Sequence, residues 1–168
     1  VEAKSGEDQN CFVTLERPLE DVPIDGAAVK LMVRYFLANI NVNSTGAVMA
    51  SPGDVPALPG VDHGFYMFHW TRDAALSMTA LQRLSASGNF GIPESLLTAS
   101  MESYIDWVRL VESEPNVDAH GEPKWNIKTR RPYSGSWCRP QTDGPGLRAL
   151  NLMLYAQSSG QPTTLWSL

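Results

Sequence analysis

Thr71-Arg72-Asp73-Ala74-Ala75-Leu76-Ser77-Met78-Thr79-Ala80-Leu81-Gln82-Arg83-Leu84-Ser85-Ala86 is the run on which the fold depends. It reads as a helix led in by a short extended segment, Phe65 to Trp70. After Arg72 and Asp73 no charge appears until Arg83, and the side chains are small or apolar on every side. A helix that meets water on one face carries a polar stripe there, so one with no stripe is enclosed by neighbours. A second such run spans Asp143 to about Gln157, where Leu147, Ala149, Leu150, Leu152, Met153, Leu154, Tyr155 and Ala156 leave little polar surface. Asp143 with Pro145 two residues on marks its start.

The helix between them differs. It begins at Pro93, a good first-turn residue, and runs to about Glu112. Leu97, Met101, Tyr104, Ile105, Val108 and Val111 share one face, and Glu94, Thr98, Glu102, Asp106 and Arg109 the other, so this helix faces water on one side. A further helix starts near Gly26. Only Lys30 and Arg34 interrupt its apolar surface, which predicts that it is largely covered. Residues 1–25 read as an extended lead-in, 41–64 as a Pro- and Gly-rich loop, and 113–141 as a long irregular stretch of the kind that usually carries a function. An enclosed, one-sided, enclosed order is what a two-layer helical barrel writes into sequence. A small helical bundle with two central helices writes the same pattern and is the simpler reading of it. Either way the chain is all-α, with no repeat of 20–50 residues in evidence.

The 168 residues are 43% hydrophobic and 18% charged, enough for one core of ordinary size. The charged share is low, which suggests that much of the surface is covered. A net charge of −5 without a basic run argues against nucleic acid or an anionic membrane as partner. No apolar run approaches the roughly 20 residues of a membrane span, and the polar N-terminus carries no apolar signal core. Cys11 and Cys138 are too few for a disulfide scaffold and lack zinc-site spacing; whether they pair is open. His63, His69 and His120 share no ligand spacing, and no phosphate loop or nucleophile elbow occurs, so neither metal nor cofactor is expected. Asn43-Ser44-Thr45 is a glycosylation sequon and predicts a surface loop if the protein is secreted.

Chemistry concentrates in two clusters, Phe65 to Asp73 and Tyr133 to Pro145. Each sets aromatics, an arginine and an aspartate at the N-terminal mouth of an enclosed helix. Asp73 and Asp143 gain there from the helix dipole, on the order of 0.5–1 kcal/mol each. A carboxylate accepts bonds from vicinal hydroxyls, an arginine donates to them, and indole or phenol rings cover the apolar face of a sugar. The plainer alternatives are a local Arg72–Asp73 ion pair capping the helix, and Trp70 and Trp137 as core aromatics.

Trp70-Thr71-Arg72-Asp73, preceded by Tyr66, resembles the WTRD motif of the glucoamylases, glycoside hydrolase family 15. Gly121-Glu122-Pro123-Lys124-Trp125-Asn126 and Gly135-Ser136-Trp137-Cys138-Arg139-Pro140-Gln141-Thr142-Asp143-Gly144-Pro145 resemble that family's GEPKFN and GSWGRPQRDGP segments in order and spacing. Val48-Met49-Ala50-Ser51-Pro52 resembles the VASPS segment ahead of them, so the likeness covers about residues 25–160. It implies the first part of an (α/α)6 double-layer helical barrel of the six-hairpin glycosidase type, with residues 1–168 as the N-terminal part of one catalytic domain. About four of its twelve helices can be placed here. It implies release of glucose, with inversion, from the ends of starch and maltooligosaccharides, in a secreted protein. By matching position, Arg72 and Asp73 would hold hydroxyls of the terminal glucose, with Tyr66 and Trp70 lining the pocket. Trp137 would stand near the leaving group, and Tyr133 and Arg139 would support its loop. Cys138 and Thr142 depart from the motif, where Gly and often Arg stand. The family's acid and base, held about 6.5–9.5 Å apart in inverting enzymes, should come later in the chain. Asp143 is the last acidic residue, so no catalytic residue is expected within this chain and the remainder of the barrel is its expected partner. A non-catalytic carbohydrate-binding or regulatory module and a ligand-free helical bundle are the competing functions.

Overall fold

The computed structural model describes residues 26–51, 67–114, 121–135, 138 and 140–160. The lead-in 1–25, Cys11, most of the 41–64 loop, Tyr66, Trp137 and Arg139 lie outside these residues. The elements run α1 (Gly26–Ala38), a 3-10 turn (Val42–Ser44), β1 (His69–Trp70), α2 (Thr71–Ser87), α3 (Glu94–Glu112), β2 (Lys124–Trp125) and α4 (Asp143–Ser159).

The boundaries follow local chemistry. Trp70 enters α2 from extended backbone, and Gly88 closes that helix at φ 69°, a left-handed conformation that costs a glycine little. Extended Pro93 precedes α3, whose early N–H groups of Leu96 and Leu97 turn back to the Pro93 carbonyl. Gly160, at φ 67°, ends α4 as Gly88 ends α2.

Direction separates the two sequence readings. Gly144 at the start of α4 lies against Thr71 at the start of α2, and further along Asn151 Nδ2 donates to Thr79 Oγ1 at 3.0 Å. Positions rise together, so α2 and α4 run parallel, and they pack more extensively on each other than any other pair. In α3 the order reverses: Ser85 Oγ donates to the Ile92 carbonyl just ahead of it, while Glu112 at its far end pairs with Arg148 near the start of α4. Two parallel central helices with an antiparallel one laid across them is a layered arrangement, unlike an up-down bundle in which neighbours alternate.

The main core joins the three helices. Ala74, Met78 and Leu81 of α2 meet Met101, Tyr104, Ile105 and Val108 of α3 and Leu152, Tyr155 and Ala156 of α4. Burying each large side chain stabilises the fold by roughly 1.5–3 kcal/mol. A second cluster, Ala47, Trp107, Val111, Trp125 and Ile127, fixes the 41–48 segment and β2 to the C-terminal half of α3.

Three expectations are corrected. The first helix is not largely covered: α1 has no buried residue, and Met32 and Tyr35 are 67% and 66% exposed. Only Val33, Phe36 and Leu37 pack on the core. Nor are the central helices enclosed all round, since Leu76 of α2 and Leu150 and Met153 of α4 are about half exposed. Their apolar positions surround each axis, yet the described chain packs α2 and α4 from one side only. The irregular stretch 113–141, lastly, contains β2, which pairs antiparallel with β1 (His69 opposite Trp125, Trp70 opposite Lys124).

Candidate functional site

The three motif segments meet at one end of the α2–α4 pair. The Thr71 N–H donates to the Pro123 carbonyl at 2.9 Å and Thr71 Oγ1 to the Glu122 carbonyl at 3.1 Å, so residues 121–125 satisfy the opening turn of α2. The Gln141 N–H donates to the Gly121 carbonyl at 3.0 Å, drawing the approach to α4 onto the same segment. Gly121 has to be glycine, because a Cβ there would overlap Pro140. At Gly144 a Cβ would stand 3.2 Å from Thr71 Cβ and Cγ2, so its missing side chain lets the two helix mouths close.

Across that mouth Arg72 Nη1 donates to Asp143 Oδ2 at 2.8 Å. Asp143 Oδ1 accepts the N–H of Gly144 at 2.9 Å. The hydrogen bond from Arg72, then its charge, hold the Asp143 carboxyl below the usual carboxylate range, and the same bond raises the Arg72 guanidinium. Asp73 lies 3.8 Å from Arg72 Nε. The local Arg72–Asp73 pair is therefore the looser of the two, and the guanidinium's main partner comes from the other helix. All three side chains are roughly half exposed, open to a ligand.

Behind the mouth lies a feature that sequence reasoning missed. Lys124 is fully buried, with its Nζ 3.8 Å from the ring centre of Tyr133, 4.3 Å from Phe68 and 5.2 Å from Trp70. Rings within about 6 Å attract an ammonium through their π faces, by about 2 kcal/mol or more when water is excluded. Phe68 and Tyr133 also meet edge to face, centroids 5.4 Å apart. The Tyr133 N–H donates to the Lys124 carbonyl, and Glu122 Oε1 accepts the Lys124 N–H. Charge in the sequence signalled Lys124 only as one letter of a motif, since its cage comes from residues 68, 70 and 133.

Of the expected site residues, Arg72 and Asp73 are thus at the mouth with Asp143. Trp70, 6% exposed, and half-buried Tyr133 are brought together around Lys124. Tyr66, Trp137 and Arg139 fall outside the described residues. Cys138 is exposed. The pairing of Cys138 with Cys11 falls outside with Cys11.

With this geometry in view, residues 30–168 match the family model described as Glycosyl hydrolases family 15. The chain belongs to glycosyl hydrolase family 15. Among family members, Glucoamylase-1 of Arthroderma benhamiae is 33% identical over 142 residues, covering 84% of this chain and 23% of that protein. The protein of Saccharomyces cerevisiae named glucoamylase, intracellular sporulation-specific, is 32% identical over 126 residues, 66% of this chain and 21% of the relative. The solved glucoamylase of Saccharomycopsis fibuligera superposes with a TM-score of 0.64 at 29% identity, over 80% of this chain and 29% of that one. The chain thus spans about a quarter of the length of the family 15 proteins it matches. Its fold is all-α, the first part of the (α/α)6 barrel of glucoamylase structures.

Proposed function

We propose that this chain provides the glucose-gripping side of a glucoamylase pocket that removes terminal α-1,4-linked glucose from starch and maltooligosaccharides with inversion. The observation that carries the reading is Arg72 bridging two helix mouths to Asp143, with Asp73 beside it. A neutral polyol suits such a place. The guanidinium has five N–H donors for hydroxyl oxygens, and Asp73 accepts from vicinal hydroxyls. By motif position, Tyr66 and Trp70 are assigned to the apolar walls, Trp137 to the leaving-group side, and Tyr133 and Arg139 to the support of its loop. Lys124 fixes Trp70 and Tyr133 from behind.

Hydrolysis by inversion needs a carboxylic acid at the glycosidic oxygen and a carboxylate on a water across the ring. No acidic residue follows Asp143 in these 168 residues, and Asp143 is occupied by Arg72. In this reading the acid and base are supplied by parts of the barrel outside these 168 residues, in a longer product or a second chain. Family membership supports an extracellular setting, while a relative named intracellular shows that the family alone does not fix it.

Titrating the chain with maltose or acarbose while following tryptophan emission tests the pocket. A saturable change is expected, and a flat response would end the reading. Glucose release from maltose by this polypeptide alone is expected to be nil; turnover would overturn the assignment of acid and base to residues elsewhere. Saturable binding that stays inert when the rest of a family 15 barrel is added would favour a non-catalytic sugar-binding module.

A further inference from the structure

The turn between α1 and β1 holds three asparagines in five residues: Asn39, Asn41 and Asn43. Two are consumed by the fold. Asn39 Nδ2 donates to the Tyr35 carbonyl at 3.1 Å, and Asn41 Oδ1 accepts the Gly46 N–H at 2.8 Å. Asn43 is exposed and its carboxamide makes no hydrogen bond among the described residues. It is also the one asparagine of the chain followed two positions later by Ser or Thr, with no proline between. Gly46 seats the turn on α3, where a Cβ would run into the Ser103 carbonyl, whereas the Arg72–Asp143 mouth lies between α2 and α4.

We propose that Asn43 is an N-glycosylation site, used when the chain passes through a eukaryotic secretory pathway, and that its glycan stands on the α3 side, clear of the mouth. Asn43 Nδ2 forms a bond to the anomeric carbon of an oligosaccharide carried on a lipid pyrophosphate. The anomeric C–O bond breaks, the lipid pyrophosphate leaves with its electron pair, and the amide gives up one proton. The proposal rests on the extracellular part of the function above and not on the sugar pocket.

The fold gives these residues other reasons to be present, which the test has to separate. Asn43 sits at φ 53°, a region that asparagine and aspartate tolerate better than other side chains. Thr45 Oγ1 donates to the Val42 carbonyl at 2.6 Å and accepts the Ala47 N–H at 3.2 Å. Asn43→Asp keeps the backbone preference and removes the acceptor nitrogen. Thr45→Ser keeps both the hydroxyl bonds and the sequon, and Thr45→Ala removes both.

The full 168-residue chain is expressed behind a cleavable secretory leader in a eukaryotic host. Cell and medium fractions are run on a gel before and after peptide-N-glycosidase digestion. Supplying the leader makes the result independent of where the native protein resides and of whether it binds sugar. The expected result is one mobility step that digestion removes, absent in Asn43→Asp and Thr45→Ala and kept in Thr45→Ser. No step in the wild-type chain, or a step that survives Asn43→Asp, overturns the proposal. Chain retained in the cell is read in the same way, because the glycan is added before folding is complete.

Discussion

Arg72 shows how little of a site's purpose lies in its contribution to stability. Its bond to Asp143 is half open to water, and such solvent-screened pairs contribute little to stability. What the pair does instead is fix a donor fork between two helix mouths. Arg72→Met is therefore expected to leave the thermal midpoint nearly unchanged while abolishing the maltose-dependent change in tryptophan emission. A large drop in midpoint with binding retained would show that the pair is structural. The arginine and aspartates were legible as candidates because charge at the end of a stripe-free helix is anomalous. Lys124 was not, since burial of one lysine among Phe68, Trp70 and Tyr133 depends on contacts across some sixty positions of sequence.

Helix spans were read closely from residue pattern, and the packing between helices was not. α2, α3 and α4 begin within a residue of the expected positions because proline, glycine and aspartate mark their ends locally. β2 escaped notice, as a two-residue strand exists only through its partner. Close approaches are equally non-local. Gly46, at φ 82°, has the Ser103 carbonyl and Trp107 Cβ where a side chain would go. Gly46→Ala combines a strained backbone with a clash and is expected to cost at least about 1–3 kcal/mol, measured by urea denaturation. An unchanged midpoint would mean that the 41–48 turn is not seated on α3. At the opposite strand, His69 is buried between Tyr104 and Trp107, and its Nδ1 accepts the Val48 N–H at 3.1 Å, so the ring is neutral. Burial first, and then the charge of Arg148, lower its pKa to about 3. The unfolded histidine takes its proton near pH 6.5 while the folded one refuses it until about pH 3. Its contribution to stability is thus complete above pH 6.5 and is lost as pH falls toward 3, at a rate approaching 1.4 kcal/mol per pH unit. Denaturation at pH 7, 6 and 5 checks this, in a range where most carboxylates stay ionised. His69→Asn should flatten the slope between pH 6 and 5.

Across the molecule, the described residues leave a groove between α2 and α4, lined by Ala75, Leu76, Thr79, Ala80, Arg83, Leu147 and Leu150 and apolar over most of its walls. Exposed patches of this kind promote association. Leu76→Glu with Leu150→Glu is expected to raise the soluble fraction and weaken binding of a hydrophobic dye, with little change in midpoint because both side chains are about half exposed already. A loss of folding in that double variant would show the groove to be closed within this chain. The residues on their own specified where the helices lie and the charged mouths, because each is a matter of periodicity and local end signals; how far each helix is covered they did not specify. They did not specify that α2 and α4 run parallel, that Arg72 would choose Asp143 over its neighbour Asp73, or that Lys124 would be caged. Those outcomes depend on which distant segments the packed core brings within a few ångströms of one another, and no local pattern encodes a distance.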